Sequence, residues 1–221
     1  MQTSTRIFFT LPLLVIIMAA SLAFAEETSE ELTMTSPLEL KTNMRKLWED
    51  HITWTRNVIL CLVDDLPGTN QAVNRLLKNQ DEIGNAVKPY YGEEAGEKLS
   101  GLLRVHINIS ADVVKAAKAS NTAMLDEANK RWMANADEIS EFLCKANSNW
   151  NLSEMKMMMH DHLKLTTDEA VCRIKKDYDQ DVAAYDKVHN EILKMSDMLT
   201  DGIVLQFPKK FKPGMEKSAR K

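Results

Sequence analysis

Apolar residues recur along most of the chain at alternating intervals of three and four, the spacing that gathers side chains on one face of an α-helix. One stripe is Met44, Leu47, His51, Trp54, Val58 and Cys61; a second is Val73, Leu76, Gln80, Ile83 and Val87. A third is Leu99, Leu102, His106, Ile109, Val113 and Ala116, and a fourth is Leu125, Ala128, Trp132, Asn135, Ile139 and Phe142. Met155, Met158, His162 and Leu165 make a short fifth. The last runs through Ile174, Tyr178, Tyr185, Val188, Ile192, Met195, Leu199 and Ile203.

The breakers fall between the stripes. Pro37 sits at an N1-like position after Ser36, Leu66-Pro67-Gly68 reads as a turn, and Pro89 stops the second stripe. Asn147 to Asn151 is a polar turn, and Thr166 with Glu169 three residues later reads as a capping box. From Leu102 to Asp201 there is neither glycine nor proline. The expected helices cover 37–65, 70–88, 94–120, 123–146, 153–165 and 166–206. No β-branched or aromatic runs bounded by turn signals suggest strands. Short connections make consecutive helices antiparallel neighbours. The expected fold is an all-α, antiparallel up-down bundle, with a short extra helix before a long C-terminal one.

Composition bounds the class. The chain has 221 residues, 44% hydrophobic and 27% charged, with 7 glycines and 6 prolines, which excludes collagen-like and disordered chains. Three cysteines, Cys61, Cys144 and Cys172, are too few for a disulfide scaffold and leave at least one unpaired. The one long apolar run, Ile7 to Leu22, follows Arg6 and ends in Ala23-Phe24-Ala25, a small-x-small cleavage pattern. Residues 1–25 are therefore expected to be a secretory signal peptide cleaved after Ala25. The protein is then exported, periplasmic or extracellular, and membrane-anchored if the leader stays on. Residues 26–36 read as a disordered acidic lead, 37–206 as the bundle and 207–221 as a basic tail.

Loss of the leader removes Arg6 and takes the net charge from −4 to −5. The tail contributes a net +5, so the body stands at −10, which excludes nucleic acid as a partner. Membrane contact is expected only through an uncleaved leader or the tail. The oligomeric state stays open.

Each of the first five stripes carries one polar residue near its middle. Counted from the turns, His51, Gln80, His106 and Asn135 differ in level by four residues or fewer, about 6 Å at 1.5 Å per residue. They fit one layer across the bundle, and His162 fits with them. His189 reaches that layer only if the chain reorients near Thr166. Imidazoles on facing helices are a common way for bundles to hold a transition metal. His51, His106, His162 and His189 are the candidate ligands, with Gln80, Asn135, Tyr185 and Asp186 as hydrogen-bonding supports. The competing reading is a buried hydrogen-bonded layer that fixes register between similar apolar seams.

Other chemistry is thinner. Met155, Met157, Met158, Met159, His160 and His162 form a soft donor set suited to Cu(I), though methionine is also a common core filler. Asp177, Asp179 and Asp181 overlap as two D-x-D patterns, but residues two apart on a helix diverge, and a solvated face is expected. Asp186 with His189 matches half of a di-iron motif once. No haem attachment, P-loop, dinucleotide motif or nucleophile elbow is present.

The segments WEDHITWTR (48–56), LLKNQDEIGNAVKPYYG (76–92), NKRWMANADEISEFL (129–143) and AYDKVHNEILKMSDMLTDGIVLQFPKKF (184–211) resemble an uncharacterised family of small secreted prokaryotic helical proteins. The resemblance implies that His51, Gln80, Asn135 and His189 lie in that family's recognisable segments. Such proteins carry labels such as glycosyltransferase or acetylglutamate kinase. This chain departs from both, having no α/β alternation and no Gly-rich phosphate loop. Three functions remain in order: binding of a transition metal or small ligand by core histidines, a non-catalytic structural or interaction role, and an enzyme using the same histidines.

Overall fold

The computed structural model describes residues 35–211. The leader with its Ala25 cleavage point, most of the acidic lead and residues 212–221 of the tail lie outside the described residues. Six helices follow in order: α1 Pro37–Val63, α2 Thr69–Tyr91, α3 Glu93–Lys118, α4 Thr122–Ala146, α5 Leu152–Ile174 and α6 Tyr178–Gln206. A 3-10 turn, Pro208–Lys210, comes next. Residues 37–208 form one compact unit. Outside it, Thr35 and Phe211 make an isolated parallel bridge.

The all-α antiparallel bundle is the fold. Each helix packs on its neighbours in sequence, α6 returns to α1, and α1, α3 and α5 also touch one another. The odd-numbered helices therefore form a central triad, and α2, α4 and α6 fill the grooves outside it. The chain is three successive αα-hairpins. Each odd helix ends on a residue held at positive φ, Asp65 (54°), Ser120 (53°) and Lys176 (60°). The amide that follows each of them closes the same bond, from Leu66 to the Cys61 carbonyl, Asn121 to Ala116 and Asp177 to Cys172.

Local chemistry sets the boundaries. Asn121, Asn151 and Asp177 cap α4, α5 and α6, each accepting from the amide three residues on. Two boundaries differ from the sequence expectation. Helix α2 runs through Pro89 to Tyr91 and stops at Gly92 with φ 87°. The break expected at Thr166 lies at Lys175–Asp177. Thr166 is buried, Thr167 bonds back to the Leu163 carbonyl, and Glu169 is held elsewhere by Arg56, so no capping box forms. The fifth helix is consequently full length. Its buried face is Met155, Met159, His162, Leu163, Thr166, Glu169 and Ala170 rather than the expected Met155, Met158, His162 and Leu165.

The lower end of the bundle is sealed by polar and aromatic contacts. Tyr91 Oη donates to Gln206 Oε1 at 3.0 Å and accepts from Asn147 Nδ2 at 2.9 Å. Burial pushes the Tyr91 phenol up to about 12, against the opposing Asn147 bond. Trp150 donates to the Met198 carbonyl at 3.2 Å and packs against Gly202, where an added Cβ would stand 1.9 Å from the indole nitrogen.

Candidate functional site

The central triad delivers one histidine from each helix to a common level: His51 from α1, His106 from α3 and His162 from α5. All three are buried, and all line one interior cavity of about 30 Å³. His51 and His162 stand with ring centroids 5.8 Å apart. Each ring uses Nδ1 on the outer helix that follows it, with a partner 29 residues on: Gln80, Asn135 and Glu191. The layer expected of His51, Gln80, His106, Asn135 and His162 is thus assembled, one residue per helix.

The hydrogen-bond directions fix what each imidazole has left. His106 Nδ1 donates to Asn135 Oδ1 at 2.8 Å, and its Nε2 accepts the Trp132 indole N–H at 3.0 Å. Both nitrogens are committed, so no lone pair is left for a ligand. The Gln80 amide nitrogen donates to the Leu76 carbonyl at 2.7 Å and sits 3.1 Å from Asn79 Oδ1. Turning that amide over would set its oxygen against two acceptors. The same nitrogen stands 3.3 Å from His51 Nδ1, but its two protons are claimed first by the shorter contacts to Leu76 and Asn79. His162 Nδ1 donates to Glu191 Oε2 at 2.9 Å.

Burial keeps His51 and His106 neutral. It lowers the His51 pKa well below the ordinary imidazole value, with His162 and His106 adding to the effect. It pushes His106 down to about 3, again with His162 contributing. The cavity walls add Met44, Met159 and Met195, and Trp48 and Trp150. The Trp48 indole nitrogen is buried without a partner.

The remaining candidates lie apart. His189 is at the surface, donating to Glu49 at 2.9 Å, with the Tyr185 ring 6.4 Å away. Tyr185 reaches Thr53 and stacks under Arg56, and the Asp186 carbonyl accepts from Asn190. None of these three touches the layer. The cysteines are all free. Among the described residues no three His, Cys, Asp or Glu side chains stand as a metal-holding group.

Two features escape the stripe pattern. The first is Glu191, to which the 29-residue interval shared by His51–Gln80 and His106–Asn135 leads from His162. The second is a buried ion cluster. Arg56 bonds Glu169 at 2.6 Å and Asp181 at 2.8 Å, and Arg173 pairs with Asp64 and reaches Asp181 at 3.7 Å. Glu169 and Asp181 are each 1% exposed, so Asp181 is not on the solvated face expected of it. Burial pushes Glu169 up to about 7 despite Arg56.

Compared with models of known protein families, with curated proteins and with solved structures, the chain matches none. The reading of the site rests on its geometry.

Proposed function

We propose that this protein is an exported helical-bundle protein that holds one transition-metal ion, or a ligand equally small, in its core beside His162. One observation carries the reading. His162 is buried, lines an interior cavity, and is held on Nδ1 by the Glu191 carboxylate at 2.9 Å. A carboxylate behind a histidine is the usual support of a metal-ligating imidazole, because it fixes the tautomer and raises the basicity of the other nitrogen. The apolar leader with its Ala-Phe-Ala end supports export.

The cavity argues for a small occupant and against turnover of a substrate. Its 30 Å³ compares with about 10–15 Å³ for one water by the same measure. Every residue that lines it is buried.

A second reading has its own observation. His106, satisfied on both sides by Asn135 and Trp132, acts as a register device between α3 and α4, and the whole layer would then be structural. Elemental analysis separates the two, using protein equilibrated with copper, zinc, iron and nickel and then melted with and without chelator. The binding reading expects one equivalent of metal and a lower Tm on chelation, both lost in His162→Leu. Absence of stoichiometric metal with unchanged melting overturns it.

A further inference from the structure

We infer that the buried cluster of Arg56, Glu169 and Asp181 is a proton-operated latch. It clamps the corner between α5 and α6 to α1 while Glu169 holds a proton, and loosens that corner when the proton leaves.

The corner has little apolar anchorage. Among the described residues 175–183, Asp181 alone is buried. Residues 175–180 are exposed in succession, and the chain turns at Lys176 with φ 60°. A helix of a globular protein ordinarily docks through an apolar stripe, whereas the first turns of α6 send a carboxylate inward. Asp181 meets Arg56 with both oxygens, Oδ1 accepting from Nη1 at 2.8 Å and Oδ2 from Nη2 at 3.1 Å. The ring contacts of this stretch use Arg56 and its neighbour Arg173. Arg173 lies over Tyr178 at 4.9 Å, and Arg56 over Tyr185 at 5.0 Å. Attachment of the corner is therefore electrostatic, and it depends on how much of Arg56 is left to Asp181.

Glu169 sets that share. Its Oε1 accepts at 2.6 Å from Nη1 of Arg56, the same nitrogen that serves Asp181. Both carboxylates are buried, so with both ionised one negative charge is left over beside a single guanidinium. Arg173 reaches Asp181 at 3.7 Å but is also paired with Asp64. Two arginines thus face three carboxyl groups, and the set is balanced when one carboxyl is protonated.

Among the described residues, the charged and titratable groups that act on Glu169 are Arg56 from α1, Asp181 from α6 and His162 from its own helix. His162 stands seven residues back, about 10 Å along α5. Burial pushes the Glu169 carboxyl up, Asp181 adds to that, Arg56 and His162 oppose it, and the result is about 7. Below that value the neutral acid leaves the guanidinium to Asp181. Above it the second carboxylate competes for Nη1 and repels Asp181. A raised value in the closed state means that closure is favoured at acid pH and weakens as pH rises through 7.

Hydrogen–deuterium exchange of the full chain at pH 6 and pH 8, expressed as protection factors, tests the latch. Protection of the amides of residues 181–185 should fall about 10-fold between the two, more than across α4. Glu169→Gln, neutral at both, should keep its pH 6 protection at pH 8. Asp181→Asn should leave the same amides poorly protected at both. Equal protection of the wild type at the two pH values overturns the inference. So does a fall in Glu169→Gln as large as in the wild type, or an Asp181→Asn corner as protected as the wild type at pH 6. Carboxyl carbon-13 NMR of the wild type needs no variant: the Glu169 resonance should titrate at about 7, and a midpoint below about 5 contradicts the latch.

Discussion

His162 and Glu191 meet across the α5–α6 interface, Nδ1 to Oε2 at 2.9 Å, in the position that two uncharged pairs occupy in the other hairpins. The three hairpins share register and layer, but only the third places a carboxylate behind its histidine. That substitution of Glu for Gln or Asn makes His162 the one imidazole of the layer with an anionic support.

Glu191→Gln tests the support without removing the side chain. It keeps the length and a hydrogen-bonding oxygen while deleting the charge. The expected outcome is a 10- to 100-fold loss of metal affinity, of the order seen when outer-shell partners are removed, with little change in Tm. Isothermal titration of wild type and variant checks it.

His106 behaves as structure. His106→Leu alone leaves the Trp132 N–H and the Asn135 carbonyl oxygen buried without partners and should destabilise the bundle by about 1–3 kcal/mol. Changing His106, Asn135 and Trp132 together to Leu, Leu and Phe removes all three polar groups and should recover most of that loss. Urea unfolding of the two variants measures the difference, and metal binding should survive in both that fold.

Stability depends on pH through groups that pull in opposite directions. His51 and His106 are lowered in the folded state, so their contribution is complete above the unfolded value near 6.5 and is lost as pH falls toward the folded values. Each costs about 1.4 kcal/mol per pH unit in that window. Glu169 is raised to about 7, so its contribution is complete below the unfolded value near 4.5 and is lost as pH rises through 7. Two histidines outweigh one carboxyl, and net stability should fall between pH 6 and pH 5. Denaturation midpoints across that range check the direction, and Glu169→Gln should steepen the fall.

Arg56 is the counter-ion for two carboxylates that are each 1% exposed. Arg56→Leu strands both and should cost about 3–5 kcal/mol, whereas Glu169→Gln should cost much less because Asp181 still pairs with Arg56. Thermal unfolding of the two variants distinguishes them.

The fold was legible because breakers and apolar spacing agree. Pro37, Pro67 and the polar turn at 147–151 each bracket a helix that the structure contains. Level counting also worked for His51, Gln80, His106, Asn135 and His162, since short connections and a constant rise turn sequence distance into height. It failed where polarity and burial part company. A threonine pair followed by glutamate looks the same whether it caps a helix or lies inside one, so the break was set at Thr166 instead of Lys175–Asp177. Asp181 reads as solvated by its charge, and only its tertiary partner Arg56 holds it inside. His189 shares a helix with Glu191 but points to Glu49 at the surface, two residues from the position that joins the layer.

The central claim is a pattern of protons: His106 carries one on Nδ1 toward Asn135, and His162 carries one on Nδ1 toward Glu191. Side-chain nitrogen-15 NMR of the histidines, through long-range proton–nitrogen correlations, reads it directly. At pH 7 the account predicts a neutral His106 ring with its proton on Nδ1 and a His162 ring with a proton on Nδ1, and metal addition shifting His162 Nε2 alone. A His162 ring with no proton on Nδ1, or a His106 ring that titrates near pH 6.5, would contradict it.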